Sequence, residues 1–517
     1  MTTNAKRTLF FLYSLQFFLF LTLFVAYIAL YKYIMPAGNR FQIVKVINNY
    51  ILPQCRQPSY SELTLACGNT TLWENRIFYP DLLTNLSLST FKLDVKPGFV
   101  VLTIHTVDNL GRTRKNGGDF WWVRVVEPVF FLVPIMDFLN GTYQGVFTLH
   151  ENGIYKLEIL LEFSYCEGAY DPPRYWFKRD KCLHDLTKNK NESFNIWERI
   201  PNVSITQLQF GAFDAVVPFK IGTYQGLSQQ RGWLQPSAFS EILETKILHF
   251  ETFQTHTLHD IQKSKTLVNL FPCVINADCG MWFNGSFISQ NNENSSPTFF
   301  PKRKRNGTLW IYGDSLGRRL YDYIKIKPLC QNLFLTCNYT YNWVYPLKEN
   351  SHGFKEDWVF DDQDFNETLH LNFIKNVIMS SFMRKKESVL LINFGLHLVK
   401  SLPMSKLKNL FNEFIIMLIE LNTDPLRFPI VIWKTTTPPY QSRLPSKNFQ
   451  VMRFLTKQRV AEWNAYTKEK LCLQNIPVLD VYGMAGSFPK GPIDSVHFPD
   501  EAFDSAIMYL ENYLEKL

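Results

Sequence analysis

Residues able to carry out nucleophilic acyl chemistry occur in one order along the chain: a serine in Gly313-Asp314-Ser315, then an acid and an imidazole in Asp494-Ser495-Val496-His497. The apolar run Thr308-Leu-Trp-Ile-Tyr312 leads into the first block, and Leu316 to Ile324 has amphipathic helical spacing. That pattern predicts a buried strand, a tight turn and a helix, with the Ser315 hydroxyl where the first helical N–H groups can stabilise an oxyanion. A serine hydroxyl needs a base to take its proton, and the base works best when a carboxylate fixes its tautomer. His497 and Asp494 supply both. Each block alone is an ordinary turn or loop. Their order singles them out, with the nucleophile after the first strand of an α/β segment and the acid and base in its last loop.

The elements that must position these residues alternate in period. Stretches 333–337, 388–393, 429–434 and 476–481 read as strands, and 406–421, 450–473 and 501–514 as helices. The alternation predicts a mostly parallel sheet covered on both faces, with reactive groups beyond the carboxyl ends of its strands. Ser315, Asn393 and the Asp494 to His497 loop all fall there. No Cys/His cluster has zinc-ligand spacing, so no metal mechanism and no bound cofactor are expected.

These motifs resemble the SGNH/GDSL hydrolase superfamily and, more closely, its PC-esterase branch. Nearly all of the chain after the first apolar segment resembles the NXPE family, whose members join a neurexophilin-like region to a PC-esterase domain. The resemblance implies Ser315 as nucleophile, His497 as base and Asp494 as its orienting acid. Arg318, in Gly313-Asp-Ser-Leu-Gly-Arg318, is implied to be a structural clamp. In SGNH enzymes a third block supplies an Asn to the oxyanion hole. Here Ile392-Asn-Phe-Gly-Leu-His397 offers the Asn393 side chain or the Gly395 backbone, although the usual Gly-x-Asn-Asp wording is absent. His397 reads as a packed or substrate-side histidine, and Gly353 lies at a plausible distance for the second block.

The rest of the chain sets the compartment. Thr8 to Tyr31 carries no charge and suits a membrane-crossing helix, read as a signal anchor in preference to a cleaved signal peptide. Lys6 and Arg7 before it favour a cytoplasmic N-terminus. Asn-x-Ser/Thr sequons begin at Asn69, Asn85, Asn140, Asn191, Asn202, Asn284, Asn294, Asn306, Asn338 and Asn366, all after that segment. The nine cysteines agree with an oxidising lumen. Cys55, Cys67, Cys166, Cys182, Cys273, Cys279, Cys330 and Cys337 fall in sequence-local pairs, leaving Cys472 as a buried free thiol.

With 517 residues, 46% of them hydrophobic, the chain can bury ample core. A net charge of +8 is mild at this length, and Lys302-Arg-Lys-Arg305 reads as a solvated linker in preference to a nucleic-acid patch. A proprotein-convertase cut after Arg305 has poorly matching flanks. The expected fold class is α+β: an N-terminal membrane helix at 1–34, a stalk at 35–74, an immunoglobulin-like β-sandwich at 75–285, a linker at 286–306 and an α/β SGNH-like three-layer domain at 307–517. Turn signals at Asp108-Asn-Leu-Gly111, Asn116-Gly-Gly-Asp119 and Glu151-Asn-Gly153 mark the sandwich.

The resemblance implies a glycan O-acetyltransferase of the secretory pathway, a type II membrane protein of the Golgi lumen or a secreted one, with acetyl-CoA as donor and sialic acid as leading acceptor. An O-acetyl esterase would use the same triad. The remaining alternative is a non-catalytic binder whose sandwich takes a glycan or protein ligand.

Overall fold

Five strands in the C-terminal half, Thr308–Gly313, Thr336–Tyr341, Val389–Ile392, Ile430–Lys434 and Val478–Leu479, pair in the spatial order second, first, third, fourth, fifth. Every pairing is parallel. The third strand, Val-Leu-Leu-Ile, is buried at every residue, as a central parallel strand must be when helices cover both faces. The strand order reverses between the first and third strands, so a crevice opens beyond their carboxyl ends. Ser315 follows the first of these strands and Asn393 the third.

The computed structural model describes residues 57–68, 80–172, 213–232, 247–249, 273–289, 304–341, 366–422, 428–440 and 454–517, with internal breaks at 97–98, 128, 148–153, 221–222, 226–228, 277–279 and 284. Two of the departures from the predicted bounds have a visible cause. The second strand begins at Thr336, because Leu333 and Phe334 are buried in and after a turn at Leu329–Leu333 that the Cys330–Cys337 disulfide closes. The helix predicted from 450 runs Lys457–Leu473, capped by the Thr456 hydroxyl, which accepts from Arg459 N–H at 3.0 Å. Such a cap contributes about 1 kcal/mol.

Upstream, two antiparallel sheets form a sandwich. Thr90–Lys96, Phe99–His105, Thr142–Phe147 and Ile135–Asp137 make one sheet. The other carries Phe131–Val133, Phe120–Glu127, Ile154–Phe163, Phe213–Lys220 and further short strands. Alternate residues of the second sheet face opposite ways. Trp121, Val123, Val125, Leu157, Ile159 and Leu161 fill the sandwich, whereas Trp122 and Leu160 pack into the core of the α/β domain. The sheet is therefore a wall shared by two cores, and Gln54–Leu517 forms one compact unit.

Polar groups tie the wall down. Glu162 pairs with the buried Lys457 ammonium, which lies 4.9 Å from the Trp122 ring and 4.3 Å from that of Tyr440. Asp171 pairs with the fully buried Arg459 guanidinium, which also donates to the carbonyls of Val399 and Leu402.

Several expectations are corrected here. Within the expected stalk, Tyr60–Leu65 is a helix with a Ser59/Glu62 capping box, docked through Tyr60 N–H to Glu469 Oε1 at 2.6 Å. The expected linker starts in a strand, Ser286–Ser289, and ends at a buried Arg305 whose guanidinium donates to Leu514 O at 2.8 Å. A protease would have to extract that side chain; residues 290–303 lie outside the described ones. Cys472 is not free but bridges to Cys273, and Cys67 bridges to Cys166. The segment at Cys273 runs beside the fifth strand, where Cys273 O accepts from Val478 N–H at 2.9 Å, and this brings Cys273 to the end of the helix holding Cys472. Cys55, Cys182 and Cys279 lie outside the described residues. The bridges place the chain in an oxidising secretory or extracellular compartment.

The fold class is corrected as well: over the described residues it is α+β with no membrane-spanning helix. No described helix is long and apolar enough to cross a membrane. The longest of them, Met404–Leu421, buries Leu407, Leu410, Phe411, Phe414 and Leu418 on one face and carries Lys406, Lys408, Glu413 and Glu420 elsewhere, which is the pattern of a helix packed on a sheet. The N-terminal helix expected within 1–34 falls outside the described residues.

Candidate active site

The nucleophile turn is built by its own sequence. Asp314 is the N-cap of the helix Ser315–Ile324, and its Oδ1 accepts from Leu316 N–H at 2.9 Å. Gly313 sits at a close approach: a Cβ there would lie 3.2 Å from the Cα of Gly317, tighter than most such contacts, so its neighbour would have to give by a few tenths of an ångström. Ser315, the first helical residue, has a backbone N–H with no intrahelical acceptor, which leaves it for an incoming oxygen.

The second block folds onto itself. Ile493 N–H donates to His497 O at 2.7 Å, closing the loop. Asp494 Oδ1 accepts from the N–H groups of Val496 (2.9 Å) and His497 (2.8 Å), and its Oδ2 lies 2.7 Å from His497 Nδ1. Partial burial pushes the Asp494 carboxyl up, but the His497 ring and the two backbone donors outweigh it and hold the group well below the usual carboxylate range. A carboxylate only accepts, so Nδ1 carries the ring proton and Nε2 presents its lone pair. That Nε2 lies 2.9 Å from Ser315 Oγ. Ser315, His497 and Asp494 thus form a hydrogen-bonded triad, in the arrangement that lets an imidazole take a hydroxyl proton.

Asn393 comes to the same rim with its amide committed elsewhere. Its Nδ2 donates to Lys434 O at 2.7 Å and Thr436 Oγ1 at 3.1 Å, and its Oδ1 accepts from Gly395 N–H at 3.3 Å. Both amide hydrogens are used, so Asn393 ties the third strand's exit to the fourth's, and an oxyanion finds no free hydrogen on it. Gly395 is needed in this knot, because a Cβ there would lie 1.9 Å from Thr436 Oγ1. Gly353 lies outside the described residues.

Arg318 is exposed and faces Asp322 of its own helix at 3.7 Å, a screened surface pair and not a clamp between elements. His397 is half-buried in the helix Leu396–Ser401, and the imidazole at Ser315 Oγ is that of His497. Among the described sequon positions, Asn140, Asn306 and Asn366 are exposed, and Asn85 and Asn338 half-buried; Asn69, Asn191, Asn202, Asn284 and Asn294 lie outside. Among the described residues, no group of three or more metal-ligating side chains could hold an ion.

Two residues missed from sequence brace the site. Tyr339 OH reaches the carbonyls of Gly313 and Asp314, each at 3.1 Å, while its ring stacks on Tyr321. Tyr440 N–H donates to Ser495 O at 2.7 Å, inside the His497 loop, and its hydroxyl donates to Gly486 O at 2.9 Å. Tyr339 pairs with Ile311 on the edge strand, two residues before Tyr341, which lies level with Gly313.

No family model matches the chain, and no curated protein does. Among solved structures, the carbohydrate acetylesterase Est24 from Sinorhizobium meliloti is similar over 41% of this chain and 98% of its own, at 11% identity and a TM-score of 0.27. A likeness of that strength carries no argument, and the site stands on its own geometry.

Proposed function

We propose that the chain is a serine-dependent O-acyl transfer enzyme of the secretory route, acting on glycans as a member of the NXPE family. The observation that carries the reading is the 2.9 Å contact between Ser315 Oγ and His497 Nε2, with Asp494 on the opposite ring nitrogen. In the first half-reaction Ser315 Oγ attacks an acyl carbonyl and His497 Nε2 takes the hydroxyl proton. The Ser315 N–H, at the first position of its helix and without an intrahelical acceptor, is the donor proposed for the developing oxyanion. Collapse expels the leaving group, which takes the proton from His497 and leaves an acyl-serine. An acceptor hydroxyl then attacks as His497 removes its proton, and Ser315 is regenerated.

Acetyl-CoA as donor and a glycan hydroxyl, sialic acid first, as acceptor give a glycan O-acetyltransferase. Water as acceptor gives an esterase, and the half-exposed Asp494 leaves the triad open to it. In the alternative, a non-catalytic binder whose α/β domain serves as a scaffold, one face of the sandwich's larger sheet is already taken up by packing against that domain.

The test is mass spectrometry of O-acetylated glycans on cells expressing the wild type or Ser315→Ala. A transferase raises acetyl-sugar with the wild type and an esterase lowers it, and Ser315→Ala abolishes either change while the protein is still secreted. Identical glycan profiles for wild type and variant would refute the enzyme reading.

A further inference from the structure

The Ser315 N–H belongs to the peptide that joins Asp314 to Ser315, and a trans peptide is planar, with its carbonyl and its N–H pointing opposite ways. Whatever fixes the Asp314 carbonyl therefore aims the Ser315 N–H. That carbonyl has two donors. Arg318 N–H reaches it at 2.9 Å as the first rung of the helix, and Tyr339 OH reaches it at 3.1 Å from the neighbouring strand. The same hydroxyl lies 3.1 Å from the Gly313 carbonyl, so its single hydrogen is shared between two successive peptides of the turn.

The turn needs that second anchor. The first peptide of a helix is the one most prone to fray, and the glycine before Asp314 has no Cβ to restrict it. One hydrogen bond lets the peptide plane rock about the bond, whereas a second from another direction removes that freedom. Tyr339 is itself held firmly. It lies in the strand Thr336–Tyr341, its ring stacks on Tyr321 with centroids 5.6 Å apart and meets Tyr341 edge-on, and it passes 3.8 Å from where a Cβ on Gly317 would stand. Donation to the carbonyl also polarises the amide, which makes the N–H on its other side a stronger donor.

We infer that Tyr339 is a positioning residue for acyl transfer: by holding the Asp314 carbonyl, its hydroxyl fixes and strengthens the Ser315 N–H that receives the oxyanion. The inference rests on the proposed reading, with Ser315 as nucleophile and its N–H as oxyanion donor.

The test compares the wild-type full chain with Tyr339→Phe and Tyr321→Phe. Both variants keep their rings and so the stack; the second loses a hydroxyl whose partner is the Cys337 carbonyl at 3.5 Å, away from the turn. The probe is an alkyl fluorophosphonate: Ser315 Oγ bonds to phosphorus, fluoride departs, His497 takes the hydroxyl proton, and negative charge gathers on the phosphoryl oxygen in the transition state. The adduct on the Ser315 peptide is followed by mass spectrometry over time, probe concentration and pH, and melting temperatures are measured alongside.

Tyr339→Phe should slow the limiting modification rate about tenfold to a hundredfold, less than the loss of an oxyanion donor outright, because Arg318 N–H still holds the carbonyl. The half-saturating probe concentration and the midpoint of the pH dependence should stay where they are, since the loss is confined to the transition state. Tyr321→Phe should react within about threefold of the wild-type rate. A merely structural tyrosine would loosen Ser315 from His497, and its loss would move the half-saturation or the pH midpoint along with the rate. Tyr339→Phe reacting within about threefold of wild type, slowing with either of those shifts, or slowing no more than Tyr321→Phe overturns the inference while leaving Ser315 a nucleophile. An inert wild-type Ser315 refutes the nucleophile reading, and this inference with it.

Discussion

Replacing Asp494 by asparagine tests the triad at its most telling atom. Asp494 Oδ1 accepts two backbone N–H groups, at 2.9 and 2.8 Å, and these pin the side chain's orientation. An asparagine must keep its oxygen on those donors, so its NH2 is forced toward His497 Nδ1. Two donors cannot face each other, and the imidazole then carries its proton on Nε2. That nitrogen lies 2.9 Å from Ser315 Oγ and can no longer take the hydroxyl proton. Loss of the working tautomer in a serine triad costs about 10^4 in rate, or roughly 5 kcal/mol of transition-state stabilisation. Asp494 is half-exposed, so solvent screens part of its charge effect and the expected loss is about 10^2 to 10^4. The melting temperature should barely move, because the loop keeps both backbone hydrogen bonds. The assay is the rate of fluorophosphonate modification at Ser315, with hydrolysis of a small acetyl ester measured in parallel. A rate within about threefold of wild type at an unchanged melting temperature would show that His497 does not depend on Asp494 for its proton's position.

Two further predictions concern the frame around the site. Glu462 is buried and pushed up to about 8, chiefly by desolvation, so it is protonated in the fold at neutral pH and ionised in the unfolded chain above about pH 4.5. The stability this contributes is complete below the unfolded value and is lost as pH rises to about 8, roughly 5 kcal/mol over the window as an upper bound. Urea unfolding of Glu462→Gln between pH 5 and 8 should show a shallower decline than wild type, and parallel curves would refute the assignment. Glu162→Gln leaves the Lys457 ammonium buried without its counter-charge and should cost about 3 kcal/mol or more, read in the same unfolding experiment. An unchanged unfolding midpoint would mean that the shared sheet does not depend on that pair.

What could be read without coordinates was what lies in local pattern. Gly313-Asp314-Ser315 and Asp494 to His497 each build their own turn from short-range hydrogen bonds, so residue type and spacing were enough to select them. The parallel sheet was legible for the same reason, since its apolar runs alternate with helical periods. Asn393 was not, because the direction of its amide is set by Lys434 O and Thr436 Oγ1 on a strand more than forty residues away. Cys472 likewise has a partner 199 positions upstream, brought near by a segment that pairs beside the fifth strand. The shared wall left a trace that sandwich logic passed over. Phe120-Trp-Trp-Val-Arg-Val-Val126 lacks a clean polar face, and a strand with aromatics on successive residues is buried on both sides.

That wall bears on how the His497 imidazole is held. Tyr440 touches the His497 loop through Ser495 O and packs edge-on against Phe498, next to His497. On its other side the ring meets the Lys457 ammonium and Trp122, and Glu162 and Trp122 belong to the sandwich. Gly486 completes the joint: a Cβ there would lie 2.8 Å from the Trp122 ring, and its carbonyl takes the Tyr440 hydroxyl. An imidazole that must meet a serine to within a few tenths of an ångström needs neighbours that do not reorganise during the reaction. The sandwich supplies such neighbours from the far side of the loop. A ligand on the sandwich and a molecule at Ser315 would therefore share one mechanical frame, and the two domains are better treated as parts of one body than as separate modules.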